Sequence, residues 1–163
     1  MASYKTHLTV WDSIEDDILE AMRGIKQLDG YNYTVREVVS WGVDDFPFRG
    51  IWPAIGVVIG SEELADTAGI SMRRCRRDVG IEMWVPAPGG GKANVPTLSR
   101  EYQKIVADIE KALYVDHTRG GNAEDTDILE RSPAMDSGKR LIGAAVRCQV
   151  VYRHQVGDLY TKM

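Results

Sequence analysis

Apolar residues recur with two different periods along this chain. From Trp11 to Gln27, Ile14, Ile18, Met22 and Ile25 fall at helical spacing and Leu19 widens the stripe, which predicts an amphipathic helix. Asp12 or Ser13 is the expected cap, and Glu15, Asp16 and Asp17 supply first-turn negative charge where the helix dipole favours it. Leu28-Asp29-Gly30 then reads as a turn.

A second helix is predicted over "TLSREYQKIVADIEKALYVD". Leu98, Tyr102, Ile105, Val106, Ile109, Ala112 and Leu113 share one stripe there, and Pro96 and Thr97 lead into its first turn. Burying such side chains is worth about 1.5–3 kcal/mol each, which is enough for this helix to cover a sheet.

Four segments read as strands. Tyr31–Trp41 places Tyr31, Tyr33, Val35, Val39 and Trp41 on one face, with Glu37 interrupting it. Ile51–Ser61 alternates Ile55, Val57 and Ile59 against Gly56, Val58 and Gly60, with Pro53 at its start. Asp78–Pro86 faces Val79, Ile81, Met83 and Val85 one way. The closing segment "LIGAAVRCQVVYRH" faces Val146, Cys148, Val150 and Tyr152 against Arg147, Gln149, Val151 and Arg153. The expected fold class is therefore α+β: a mostly antiparallel four-stranded sheet covered by two helices. Three long polar loops are expected beside it, at Gly60–Arg74, Ala87–Pro96 and His117–Lys139. Loops beyond about 12–15 residues in a compact domain usually carry function or are disordered.

With 163 residues, one α+β domain over residues 1–163 is expected, with an extended C-terminal segment from about residue 154. The net charge of −4 gives no general attraction to nucleic acid or anionic membrane. No apolar stretch approaches the roughly 20 residues of a membrane helix, and the N-terminal stretch has no signal-like apolar region, so a soluble chain made in the cytoplasm is expected. Cys75 and Cys148 lack metal-site spacing and read as reduced, buried thiols.

A catalytic constellation does not emerge. His7, His117 and His154 have no HExxH spacing and no evident carboxylate partner in the sequence. "PAPGGGKAN" departs from a phosphate-binding loop, since Pro86 stands at the first glycine and Ala93 at the Ser/Thr that would hold magnesium. Asp44-Asp45 lies in a turn-like setting. No enzyme activity, cofactor or metal is expected.

The distinctive charge feature is "RRCRRD", which packs Arg73, Arg74, Arg76 and Arg77 into five residues. Three readings apply: a solvated strand entry that discourages aggregation, pairing to acidic patches on another subunit, or contact with phosphates. For the second, the candidate acidic surfaces are Glu62 with Glu63, and Glu124 to Asp127. The closing "RHQVGDLYTK" adds Arg153, His154, Asp158, Leu159 and Tyr160 as contact candidates. It either docks on a neighbour or folds back on its own core.

"DIEKALYVDHTRGGNAEDT" followed by "VVYRHQVGDLY" resembles the tail terminator, or tail completion, proteins of long-tailed bacteriophages. The likeness rests on Asp108, Ile109, Ala112, Leu113, Gly120, Gly121 and Ala123, then Tyr152, His154, Gly157, Asp158 and Tyr160, with Leu159 where the family pattern has proline. The resemblance implies a non-enzymatic virion protein at the head-proximal end of the tail. It would form a homo-oligomeric ring, usually hexameric, that ends tube polymerisation and presents a surface to the neck or connector. Its partners would be sister subunits and the tail tube protein, with DNA passing through the channel without specific binding and no membrane involved. Another neck or head-completion protein, or a tail tube subunit, is the alternative within that class. A small enzyme and a nucleic-acid-binding module stand outside it.

Overall fold

The computed structural model describes residues 8–41, 48–64, 71–92 and 94–159. Helix α1 spans Val10–Arg23. It is followed by a 3-10 turn at Gln27–Asp29 and by strands β1 (Glu37–Trp41), β2 (Ala54–Leu64) and β3 (Met72–Pro86). Then come a 3-10 turn at Pro88–Gly91, helix α2 (Val95–Tyr114), and strands β4 (Ala123–Asp136) and β5 (Leu141–Gln155). The sheet has five strands in the order β1-β2-β3-β5-β4. The β1–β2 pair is parallel and the other neighbours are antiparallel.

The α+β class and the two helices stand, while the expected four-stranded sheet is corrected to a five-stranded mixed one. The additional strand is β4, which forms inside the predicted His117–Lys139 loop and makes a hairpin with β5. As an edge strand it buries little beyond Ala123 and Thr126, so it carries almost no apolar alternation. The predicted Gly60–Arg74 loop also contracts, because β2 runs to Leu64 and β3 starts at Met72, which places the arginine run inside a strand. Residues 65–70 lie outside the described residues.

The predicted first strand shortens to its last five residues. Tyr31, Tyr33 and Val35 still pack against the core, but a carboxylate on α2 holds the segment instead of a ladder. Asp108, only 2% exposed, accepts from Asn32 N–H at 2.9 Å, Asn32 Nδ2 at 2.8 Å and Tyr33 N–H at 2.9 Å.

Helix α1 is capped by Thr9, ahead of the Asp12 or Ser13 predicted. Asp12 N–H donates to Thr9 Oγ1 at 3.1 Å and Thr9 N–H donates to Asp12 Oδ2 at 2.8 Å, a reciprocal capping box. The helix ends at Arg23, short of Gln27, and Gly24 closes it. Asn94 caps α2 by accepting from Thr97 N–H at 3.0 Å.

Both helices pack on the face of the sheet that carries Val79, Ile81, Met83, Val146, Cys148 and Val150. Ile14, Ile18 and Met22 of α1 meet Ile105, Ile109 and Leu113 of α2 in that core. The opposite face, bearing Gly80, Glu82, Arg147 and Gln149, is covered by neither helix. The alternation predicted for the closing strand holds along β5: Val146, Cys148, Val150 and Tyr152 are buried.

Candidate intersubunit surface

The described contact candidates come from four separated stretches of sequence, and strand pairing gathers them at one end of the sheet. Glu62 faces Arg77 and Glu63 faces Arg76 across β2–β3. Arg73 faces His154, Arg74 faces Arg153 and Arg76 faces Val151 across β3–β5. Glu124 sits at the bulge where β4 begins, and Asp127 faces Gln149.

On the uncovered face, Arg74 and Arg153 are directly opposed, a repulsive arrangement for like charges. Glu124 resolves it by accepting from Arg74 Nε at 2.8 Å while also forming an ion pair with Arg153. These side chains are part-exposed, so each pair contributes about 0–1 kcal/mol.

On the helix side, the Tyr152 hydroxyl donates to Glu62, and the Tyr152 ring lies 5.6 Å from Trp11. The Arg77 guanidinium stacks 4.5 Å above Trp11, a cation–π contact, with Nη1 4.0 Å from Glu62. Burial raises the Tyr152 hydroxyl well above the usual phenolic range, and the Glu62 carboxylate adds to that shift. His154, 7% exposed, sets Nδ1 2.8 Å from the Gln155 carbonyl.

The charged patches that the sequence offered as partners on different subunits are thus neighbours on one chain. Arg74, Arg153 and Glu124 are paired internally, and Glu62 is engaged by Tyr152. Arg73, Arg76, Glu63 and Asp127 make no ion pair among the described residues. After β5 the chain turns at Gly157 (φ 82°) and returns: Val156 N–H donates to Ser71 O, and Leu159 O accepts from Val10 N–H, both at 2.9 Å. The backbone therefore folds back on its own domain as far as Leu159, whose side chain stays 55% exposed, and Asp158 bridges to Gln155 within that turn. Tyr160, His7 and Asp44-Asp45 lie outside the described residues.

Contrary to the sequence reading, His117 has a carboxylate partner, with Nδ1 3.0 Å from Asp125 Oδ1. Among the described residues no group of three or more His, Cys, Asp or Glu side chains is placed to hold a metal ion. No described helix is long and apolar enough to cross a membrane.

Sequence reasoning missed three residues that shape this region. Trp11 was read as the edge of a helix, yet it supports Arg77. Asp108 and Arg119 entered as motif letters or not at all, and both are buried polar anchors. The available signal was the charge itself, because an acid within an apolar helical stripe requires partners.

No family model matches the chain, and no curated protein matches it. Among solved structures it is similar to a chain of the "Virion of native gene transfer agent (GTA) particle". The identity is 13% over 93% of this chain and 100% of that one, with a TM-score of 0.42. That superposition is too loose to show a shared fold, so the functional reading rests on this chain's own residues.

Proposed function

We propose that this chain is a structural, non-enzymatic virion protein that forms a hexameric ring on the head-proximal end of a bacteriophage tail tube. The ring ends tube polymerisation and presents the joining surface for the neck or connector. The observation that carries the reading is the convergence of Glu63, Arg73, Arg76, Arg77 and Leu159 at one sheet end, beside a sheet face that neither α1 nor α2 covers. A surface with unspent guanidinium donors and an exposed leucine suits contact with another protein. The resemblance on the segments around Asp108–Ala123 and Tyr152–Asp158 gives that partner its class.

Termination then follows from shape and mass action. One face of each subunit meets the last tube ring, another meets a sister subunit, and no acceptor for a further tube subunit remains. Closing a ring requires a heterologous interface, so two different surfaces of the same chain must complement each other. A subunit of net charge −4 also suits a channel through which DNA passes without being held.

Native mass spectrometry over a concentration series, followed by negative-stain microscopy, tests this. A sixfold species with a central hole, or capping of purified tail tubes by a monomer, is the expected result. Unlimited growth into tubes would identify a tube subunit. Failure both to form a ring and to cap tubes would overturn the reading.

A further inference from the structure

The two ends of helix α2 carry opposite charge, each beside exposed apolar residues. We infer that these ends join neighbouring copies of this chain head to tail. Val115 of one copy enters a groove at the start of α2 in the next, while Asp16, Glu20 and Asp116 of the first meet Lys92 and Arg140 of the second. The inference rests on the ring reading and assigns the contact between sister subunits.

The groove, of about 380 Å³, lies between the first turns of α2 and the end of β4. Leu98, Tyr102 and Ile142 line it, and Val95 and Met135 stay exposed beside them. Arg140, in the turn between β4 and β5, sets Nη1 3.9 Å from where a Cβ on Gly90 would stand, so it lies against the loop that ends in Lys92. Lys92 and Arg140 make no ion pair among the described residues. The carboxylates of this end are engaged elsewhere: Asp136 by Lys139, and Glu101 by Lys104 and the Tyr33 hydroxyl. The positive end of the α2 dipole adds to the field of the two free cations.

At the other end, α2 closes on Tyr114 and Val115, both exposed, the valine by 76%, and Asp116 follows. Arg119 ties this turn to Asp17 of α1, which sets Asp116 beside the outer face of α1, where Asp16 and Glu20 are exposed and unpaired among the described residues. The field there is negative. Burial raises the Asp17 carboxyl above its ordinary value, and Asp116 and Glu20 push it further up against the Arg119 guanidinium. Arg23 and Lys26 adjoin Glu20 at the close of α1, and Glu15, Asp16, Glu20 and Asp116 outnumber them.

The 20 residues of α2 hold these ends about 30 Å apart, so one copy cannot pair them with each other. A second copy can. Groove meets exposed valine and free cations meet free carboxylates, on two different surfaces of the same chain, which is the heterologous contact that ring closure requires.

A charge swap tests the pairing, read by sedimentation velocity and native mass spectrometry, or by capping of tail tubes where the wild type is monomeric. Lys92→Glu with Arg140→Glu makes both surfaces acidic, and Asp16→Lys with Glu20→Lys makes the opposite change. Each double variant alone is expected to lose about tenfold or more in association, or to stop capping tubes. An equimolar mixture is expected to recover the sixfold species with the two chains in equal number, which also shows that both variants fold. Val115→Ser is expected to weaken association several-fold, and no change there would overturn the groove contact. Wild-type association in either double variant, or a mixture that does not recover while urea unfolding shows both variants folded, would overturn the inference and leave the ring reading standing. A species restored by mixing that stops at the dimer or grows as open filaments would support the charge pairing and overturn the ring. Absence of both ring and tube capping in the wild type would overturn both.

Discussion

Arg119 is 1% exposed and places Nη1 3.1 Å from Asp17 Oδ2, tying the turn after α2 to the middle of α1. Its Nε donates to Thr126 Oγ1 at 3.2 Å, and its other terminal nitrogen donates to the Leu113 carbonyl. One guanidinium thereby joins both helices and the start of β4. Removing it leaves a carboxylate, a hydroxyl and a helix-terminal carbonyl short of a donor. Arg119→Met is expected to cost about 3–5 kcal/mol, the range for breaking a buried pair. Asp17→Asn should cost less, about 1–3 kcal/mol, because Asp17 is part-exposed and its replacement can still accept. Urea unfolding of the two variants checks both the size and the order; equal, negligible losses would refute the anchor role.

The turn that holds Arg119 carries its own pH dependence. Asp116 accepts from Thr118 Oγ1 at 2.6 Å, Thr118 N–H at 2.8 Å and Gly120 N–H at 2.7 Å, which lowers its pKa from 3.8 to about 2. A depressed carboxyl contributes stability that is present above its unfolded value and is lost as pH falls through the folded one. The protein should therefore lose stability between about pH 4 and pH 2, and Asp116→Asn should flatten that slope. Asp17 acts in the opposite sense: burial raises its pKa, so its contribution is full below the unfolded value and declines as pH rises through the folded one. Urea midpoints from pH 2 to 5 separate the two, and an unchanged slope in Asp116→Asn would count against the turn.

Gly143 on β5 faces Trp84 on β3. A Cβ there would lie 2.8 Å from the Met83 carbonyl oxygen and 2.9 Å from the Trp84 ring. Backbone and an enclosed indole cannot yield cheaply, so Gly143→Ala should cost about 1–3 kcal/mol. Gly80, on the same uncovered face, meets only Val58 at 3.7 Å. Gly80→Ala should be neutral or slightly stabilising, because alanine loses less freedom than glycine on folding. Similar thermal shifts for the two variants would contradict the packing argument.

What the sequence made legible, and what it concealed, follows from how each element is stabilised. Ile14–Met22 and Val146–Tyr152 carry their period because each buries one face against a common core. Strand β4 does not, since an edge strand needs only a ladder to β5, and its two register shifts break what alternation remains. The arginines at 73, 74, 76 and 77 hid the start of β3; only Cys75, fully buried between them, marks the core-facing side. The candidate residues were readable as charges, but their pairing was not. Placing Glu124 between Arg74 and Arg153 depends on a strand that the pattern did not show and on the bulge at its start.

Both thiols should be inert in the native chain. Burial pushes the Cys148 thiol up to about 12 and raises Cys75 as well, with Glu62 adding to the latter. Neither is exposed. Since the thiolate is the reactive form, Ellman's reagent should detect no thiol at neutral pH in the folded protein and both after denaturation. Rapid native labelling would show that the core opens at β3 or β5.

Charge reversal distinguishes arginines that stabilise the fold from those left for a partner. Arg76 makes no ion pair among the described residues and stands opposite Glu63. Arg76→Glu therefore adds one exposed like-charge pair, at about 0.2–1 kcal/mol, and should leave the monomer folded. If this end forms part of the ring contact, the same variant should lose the sixfold species. Arg74→Glu sets a carboxylate against Glu124 and removes one of the two cations that Glu124 holds, so its effect mixes fold and interface. Adding Glu124→Arg restores an opposite-charge pair within the chain and should recover stability. Native mass spectrometry beside urea unfolding separates the two effects. A double variant that refolds but still fails to assemble places the contact on this face, whereas wild-type ring formation in Arg76→Glu would remove Arg76 from it.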